Sequence, residues 1–133
     1  MRLYPTTDYQ AIASMDSVLF PGDVPIEGWE DITWWIGIED GTPVCYCGVR
    51  EYADYAYLNR AGVLPKFRGR GYQKRMIKTR LKWAKERGLS SISDTSSWNI
   101  RSSNNLIKAG FKLFNPSIPW NHEDQLYWKK EIK

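Results

Sequence analysis

No run of about 18 apolar residues occurs anywhere in the chain, so no helix of it is expected to cross a membrane. The first residues carry one basic side chain, Arg2, and no apolar block, and no secretory signal is expected. There are only two cysteines, Cys45 and Cys47, one residue apart. They are too close for a relaxed disulfide and have no partner cysteines for zinc, so no metal site is expected. Reduced, buried strand thiols are the expectation, and with them a cytoplasmic location. The single histidine, His122, stands in a polar stretch and reads as a surface residue rather than a catalyst. Internal repeats, low-complexity runs and linkers are missing, and 133 residues fit a single domain over residues 1–133.

Aromatic residues, by contrast, are plentiful. Seven Trp and eight Tyr imply a thick core or an aromatic-lined pocket. Charge is unevenly placed behind a net of +4. Residues 1–58 hold ten acidic and two basic side chains; residues 59–88 hold eleven basic and only Glu86. A basic middle suits an anionic ligand, and an acidic first half suits a cationic partner. Solvated helix faces would produce the same runs, but here the basic run coincides with a glycine turn.

That turn lies in Val63-Leu64-Pro65-Lys66-Phe67-Arg68-Gly69-Arg70-Gly71-Tyr72-Gln73-Lys74-Arg75. An apolar strand end turns at Pro65, passes two glycines and opens a basic helix. A helix N-terminus after a glycine turn presents unpaired backbone N–H groups and the positive end of the helix dipole, which together bind phosphate. A dinucleotide fingerprint would need a third glycine where Lys74 stands, and no Walker A spacing exists. What remains is Arg-x-x-Gly-x-x, as Arg68-Gly69-Arg70-Gly71-Tyr72-Gln73. An ordinary basic turn into a helix would also account for this segment alone.

Periodicity and turn residues predict the remaining elements. A short strand at 1–4 ends at Pro5, and a helix capped by Thr7 or Asp8 runs to Leu19. Strands follow at 33–38 and 43–51 around an Asp40-Gly41 hairpin turn, then at 55–64. The helix 72–87 has Met76, Ile77, Leu81 and Ala84 as its apolar stripe, with basic residues on its other faces and Gly88 after it. A strand from Leu89 places Ile92, Asp94 and Ser96 on one face. A short helix capped by Asn99 or Ser102 runs to Ala109, and strands at 111–114 and 125–132 close the chain. The expected fold class is α/β (mixed α+β), with a central mixed, mostly antiparallel sheet flanked by helices.

A second motif, Asn99-x-x-Ser102-x-x-x-Leu106-x-Lys108-x-Gly110-Phe111, follows at a separation that fits the first. Together the two motifs and the element order resemble the GNAT superfamily of N-acetyltransferases across nearly the whole chain. The resemblance implies a GNAT-like domain with acetyl-CoA as acyl donor, and it assigns roles. The strand end at Val63 and Leu64 would pair with the pantetheine arm. Arg68, Gly69, Arg70, Gly71, Tyr72, Gln73 and Lys74 would form the pyrophosphate loop, mostly through backbone N–H groups with charge from Arg68 and Arg70. Asn99 would touch the pantetheine or position the last helix, and Lys108 would reach the nucleotide end or stay solvated. Asp94, five residues before Asn99, matches the general base of the branch that acetylates protein N-termini; a hydrogen-bonded strand-end aspartate is the alternative. Two positions depart from the family pattern: Gln73 stands for Gly or Ala, and Leu106 for the Tyr that protonates the leaving thiolate. Tyr52, Tyr55 and Tyr57 are in the right half of the molecule to replace it.

The implied chemistry is acyl transfer to an amine, either of a small molecule or of a protein. Asp16, Asp23, Glu27, Glu30 and Asp31, with Trp29, Pro119 and Trp120, fall in segments that wall the acceptor side in this fold, which suggests a cationic acceptor. Two rival readings are a CoA-binding regulatory protein of weakened activity, supported by Leu106 and Gln73, and a nucleic-acid-binding module using the basic helix. The sequence leaves the oligomeric state open between a monomer and a homodimer.

Overall fold

A computed structural model describes residues 1–23, 26–121 and 124–132. His122 lies outside the described residues. Seven strands form one sheet: β1 (Arg2–Thr6), β2 (Ile32–Glu39), β3 (Thr42–Glu51), β4 (Tyr55–Val63), β5 (Ser90–Ser96), β6 (Lys112–Phe114) and β7 (Gln125–Lys130). Three helices flank it: α1 (Tyr9–Leu19), α2 (Tyr72–Glu86) and α3 (Ile100–Lys108). The spatial order is β1-β2-β3-β4-β5-β7-β6. Every neighbouring pair is antiparallel except β4 and β5, so the expected mixed, mostly antiparallel sheet is what forms.

The hairpin between β2 and β3 turns at Asp40 (φ 50°) and Gly41 (φ 78°), the two positive dihedrals that match strand twist. β2 and β3 are buried on both faces, which is why they read as continuous apolar runs rather than alternations. On one face Ile32, Trp34, Ile36 and Tyr46 pack with Ile12 and Met15 of α1. On the other, Trp35, Cys45, Cys47 and Val49 pack with Met76, Ile77 and Ala84 of α2 and Leu106 of α3. Asp8 caps α1, its carboxylate accepting from the Ala11 N–H at 3.1 Å.

Two expectations need correcting. β1 does not stop at Pro5 but continues through it to Thr6, with Pro5 in register opposite Trp35. β1 is an edge strand, where a missing N–H leaves no ladder bond unmade. On α2 the basic residues do not all face solvent: Arg80 is 3% exposed, on the apolar stripe between Met76 and Ala84. Among the described residues, no helix is long and apolar enough to cross a membrane.

The cysteines are buried and unbridged. Burial pushes the Cys45 thiol up to about 12 and the Cys47 thiol up to about 11, and it raises the phenols of Tyr46 and Tyr57 as well. A raised folded pKa means the native state holds its protons more tightly than the unfolded chain. The contribution is therefore complete below the unfolded thiol value of about 8.5 and is lost as pH rises through 11 to 12. The melting temperature should hold to about pH 8 and fall steadily above about pH 9. A thiol-exchange reagent at pH 8 should find no reactive cysteine in the folded protein and both after unfolding. Rapid labelling of the native protein would contradict this.

Candidate active site

The site begins where the sheet opens. β4 and β5 pair only from Tyr55–Ser90 to Tyr57–Ile92. Beyond that, the Ser93 hydroxyl reaches the Leu58 carbonyl at 3.4 Å, and then the strands diverge. A bulge adds to the opening: Cys47 pairs with Ala61 and Val49 with Leu58, so Gly48 of β3 faces both Asn59 and Arg60 of β4. The wedge between the strands is a cleft of about 530 Å³, with Tyr57, Arg60, Arg80, Asp94 and Leu106 in its lining. A groove of about 790 Å³ runs past Val63, the glycine loop and the start of α3. Phe20, Ala61, Gln73, Asn99, Ser102 and Asn105 border both, so cleft and groove are continuous.

The glycine loop leaves uncapped backbone amides beside open space. Leu64 stays tied to β3, its N–H donating to the Val44 carbonyl at 2.9 Å. Pro65–Phe67 makes one 3-10 turn, and Arg68 Nε returns to the Val63 carbonyl at 3.1 Å. Gly69 and Gly71 both have φ of 79°, and a Cβ at either would meet nothing within 4 Å. Backbone conformation rather than crowding therefore selects glycine, and the space beside the loop is open. The first α2 bond at this end runs from Arg75 N–H to the Gly71 carbonyl at 3.3 Å, so the amides of Tyr72, Gln73 and Lys74 precede it, and no side chain caps them. Arg68, Gly69, Gly71, Tyr72, Gln73 and Lys74 all border the groove. Arg70 does not: its guanidinium pairs with Glu39 at 2.6 Å, and the Tyr72 hydroxyl donates to the same carboxylate. The Tyr72 hydrogen bond first, and the Arg70 charge after it, hold Glu39 below the usual carboxylate range. The loop residue expected to add charge instead anchors the loop to the end of β2.

Asn99 sits at the junction. Its side chain accepts from the Ser102 N–H at 3.2 Å, capping α3, while the residue borders both cleft and groove. Leu106 is 5% exposed and belongs to the core, so the residue standing for the family tyrosine offers no proton. Lys108 is exposed at the groove's edge.

Asp94 lines the cleft, held by three donors. The Tyr57 hydroxyl donates to Oδ1, and Asn121 Nδ2 and Gln125 Nε2 donate to Oδ2 at 2.8 and 3.0 Å. Burial first and the Asp94 charge second raise the Tyr57 phenol, keeping it protonated. Trp120 meets Tyr57 edge-on at 6.2 Å and Tyr127 at 4.5 Å. Among the three tyrosines left open by the sequence, Tyr52 and Tyr55 stack on each other at 4.8 Å away from the cleft, and only Tyr57 lines it. Sequence reasoning did not find Asn121, Gln125 or Arg80; for Arg80 the signal was its spacing of four residues from both Met76 and Ala84.

The acidic segment divides between internal pairing, solvent and the cleft rim. Asp16 is buried, accepting from Tyr46 at 2.5 Å and from Arg60 at 2.8 Å. Asp23 lies 3.8 Å from the same guanidinium, which stands 5.1 Å from the Phe20 ring centre. Glu30 and Asp31 are exposed and outside the cleft lining, and Trp29 packs on Trp34. Asp23 and Glu27 remain at its rim. Among the described residues, no group of three or more His, Cys, Asp or Glu side chains is arranged for a metal ion.

A parallel strand pair that splays beside a glycine turn into a helix is the frame of the cleft and groove. The chain belongs to the acetyltransferase (GNAT) family, whose model matches residues 6–111. The fold is similar to that of Arabidopsis thaliana NAA60, solved with a bisubstrate analogue (15% identity, TM-score 0.78, covering 98% of this chain and 97% of that one). It is similar to the ribosomal-protein-S18-alanine N-acetyltransferase of Escherichia coli (13%, 0.77, 96% and 91%). A GNAT family acetyltransferase from Elizabethkingia anophelis with acetyl-CoA bound is a third relative (13%, 0.75, 98% and 97%). No curated protein sequence matches the chain.

Proposed function

We propose that this chain is an N-acetyltransferase that moves the acetyl group of acetyl-CoA to a primary amine. One observation carries the reading: the groove beside the glycine loop opens into a cleft whose wall carries the Tyr57–Asp94 pair. Acetyl-CoA fits the residues present, since its anionic end needs open amides at a helix start and its arm needs an unpaired strand edge, and both are there. When bound, it supplies the acetyl group as an activated thioester.

The acceptor ammonium first gives one proton to solvent; the neutral nitrogen then forms a bond to the carbonyl carbon as the C–S bond breaks, and sheds a second proton. Tyr57 receives that proton on its oxygen while passing its own to Asp94, so the carboxylate ends as the acid. The sulfur leaves as thiolate and is protonated from solvent, because Leu106 cannot serve; a thiol pKa of about 8.5 makes this tolerable. Glu27 and Asp23 at the rim favour a cationic acceptor, such as a protein N-terminus, a lysine or a polyamine. The similarity to a ribosomal-protein-S18-alanine N-acetyltransferase lends support to a protein acceptor.

Thermal unfolding with and without acetyl-CoA tests the reading. Ligand at a hundred times its Kd should add about 2.7 kcal/mol, visible as a clear rise in Tm. A rise with acetyl-CoA followed by turnover on an amine panel supports the enzyme. A rise with no turnover points to a CoA-binding regulator, which the buried Leu106 favours. No rise at millimolar acetyl-CoA removes both.

A further inference from the structure

We propose that Arg80 is a positioning residue for acyl transfer: from the buried side of α2 its guanidinium holds the two carbonyls left over by the β3–β4 bulge and so fixes the bulged backbone that walls the cleft. The proposal rests on the acyl-transfer reading above. Arg80 Nη1 donates to the Asn59 carbonyl at 3.1 Å and, at longer range, to the Gly48 carbonyl at 3.4 Å. Those two residues face each other across the bulge, where the register skips from Cys47–Ala61 to Val49–Leu58. Nε is anchored to the Met76 carbonyl of the same helix at 3.2 Å. One rigid helix thus clamps both strands at the point where their ladder fails.

A stability role alone does not explain an arginine here. Arg80 is 3% exposed, and among the described residues no carboxylate lies within ion-pair distance of it. Burial lowers its pKa, yet a guanidinium stays charged. A buried cation held only by carbonyls is an expensive way to fill a stripe position that methionine or leucine would fill. Its charge stands against the Asn59 carbonyl, and Asn59 and Arg60 lie outside the β3 register and past the last β4–β5 pair. Those two residues, with Arg80 itself, line the cleft. Asn59 Oδ1 is buried with no hydrogen-bond partner, an acceptor that a donor on a bound substrate would satisfy. As the thioester is attacked, its oxygen gains negative charge, and a backbone held rigidly before a buried cation stabilises that charge without having to reorganise.

The test compares Arg80→Met, which keeps the stem and removes donors and charge, with Arg80→Lys, which keeps the charge. Three quantities are read: kcat with the best amine at saturating acetyl-CoA, Kd for acetyl-CoA by calorimetry, and amide hydrogen exchange at residues 59–61. In Arg80→Met, kcat should fall by about 30-fold or more. Its acetyl-CoA Kd should stay within about threefold, because Arg80 is not among the groove residues. Exchange should speed up at 59–61, and Arg80→Lys should recover part of the kcat. An unchanged kcat in folded Arg80→Met overturns the proposal. So does a parallel loss of kcat and acetyl-CoA affinity with lysine no better than methionine, the mark of a purely structural residue. If Arg80→Met does not fold, Arg80→Lys decides: a kcat equal to that of the unmodified protein rejects the proposal. Should the unmodified protein turn over no amine, the acyl-transfer reading fails instead, and the exchange measurement still shows whether Arg80 fixes the bulge.

Discussion

Replacing Gly71 with alanine should abolish tight acetyl-CoA binding while leaving the protein folded, whereas the same change at Gly88 should leave binding intact. The two glycines are matched. Gly71 begins α2 with φ of 79° and Gly88 follows its end with φ of 70°, and a Cβ at either meets nothing within 4 Å. Each substitution therefore carries the same backbone penalty, about 1–2 kcal/mol for a side chain in the left-handed region, with no added clash. The loss in melting temperature should be nearly equal. Only Gly71 borders the groove, and only there does relief of the strain turn away the amides of Tyr72, Gln73 and Lys74. Losing two hydrogen bonds to a charged phosphate, at about 1.5–3 kcal/mol each, weakens binding by at least about 100-fold. Isothermal titration with acetyl-CoA reads this directly. Equal Kd values for the two variants would remove the pyrophosphate role from the loop.

The contrast between these glycines explains why so much was legible beforehand. A positive φ is a local demand that only a few residue types meet, so Gly41, Gly71, Gly88 and Gly110 marked turn and helix ends in the sequence itself. The same holds for Asp8 and Asn99, whose side chains cap the helices they precede. What sequence did not reveal depends on register between distant segments. Tyr57 and Asp94 are 37 positions apart, and their contact exists because β4 and β5 pair for three residues and then part. Asn121 and Gln125 reach Asp94 from the loop before β7 and from β7 itself. Arg70 and Arg68 look alike in the sequence, but a hairpin delivers Glu39 to only one of them. Asp16 read as part of an acidic recognition surface because nothing local shows that Tyr46 and Arg60 bury it. Arg80 was the instructive miss: a basic residue among basic residues, it was assigned to solvent by its charge although its spacing from Met76 and Ala84 placed it inside.

Asp94→Asn should lower kcat by about 10²- to 10⁴-fold, the usual range for loss of a proton-transfer partner. The Kd for acetyl-CoA should not change, since Asp94 lines the cleft and not the groove. Asparagine keeps the size of the side chain and an oxygen for Tyr57, but it cannot accept a proton, and its amide nitrogen faces the Asn121 and Gln125 amides, which must flip. Tyr57→Phe removes the hydroxyl that donates to Asp94 and, on the proposed relay, should cost about 10- to 10³-fold in kcat. The decisive quantity is the double variant. If the proton passes from amine to Tyr57 to Asp94, breaking either link disables the same route, and the double variant should be hardly slower than the slower single one. If Asp94 acted alone on the amine and Tyr57 only packed against Trp120, the two losses would multiply. If Asp94→Asn kept full kcat and lost only stability, the aspartate would be a strand-end hydrogen-bond acceptor, its three donors would be its whole purpose, and the base would have to be sought among the other groups of the cleft, with Glu27 and Asp23 at the rim as the remaining carboxylates.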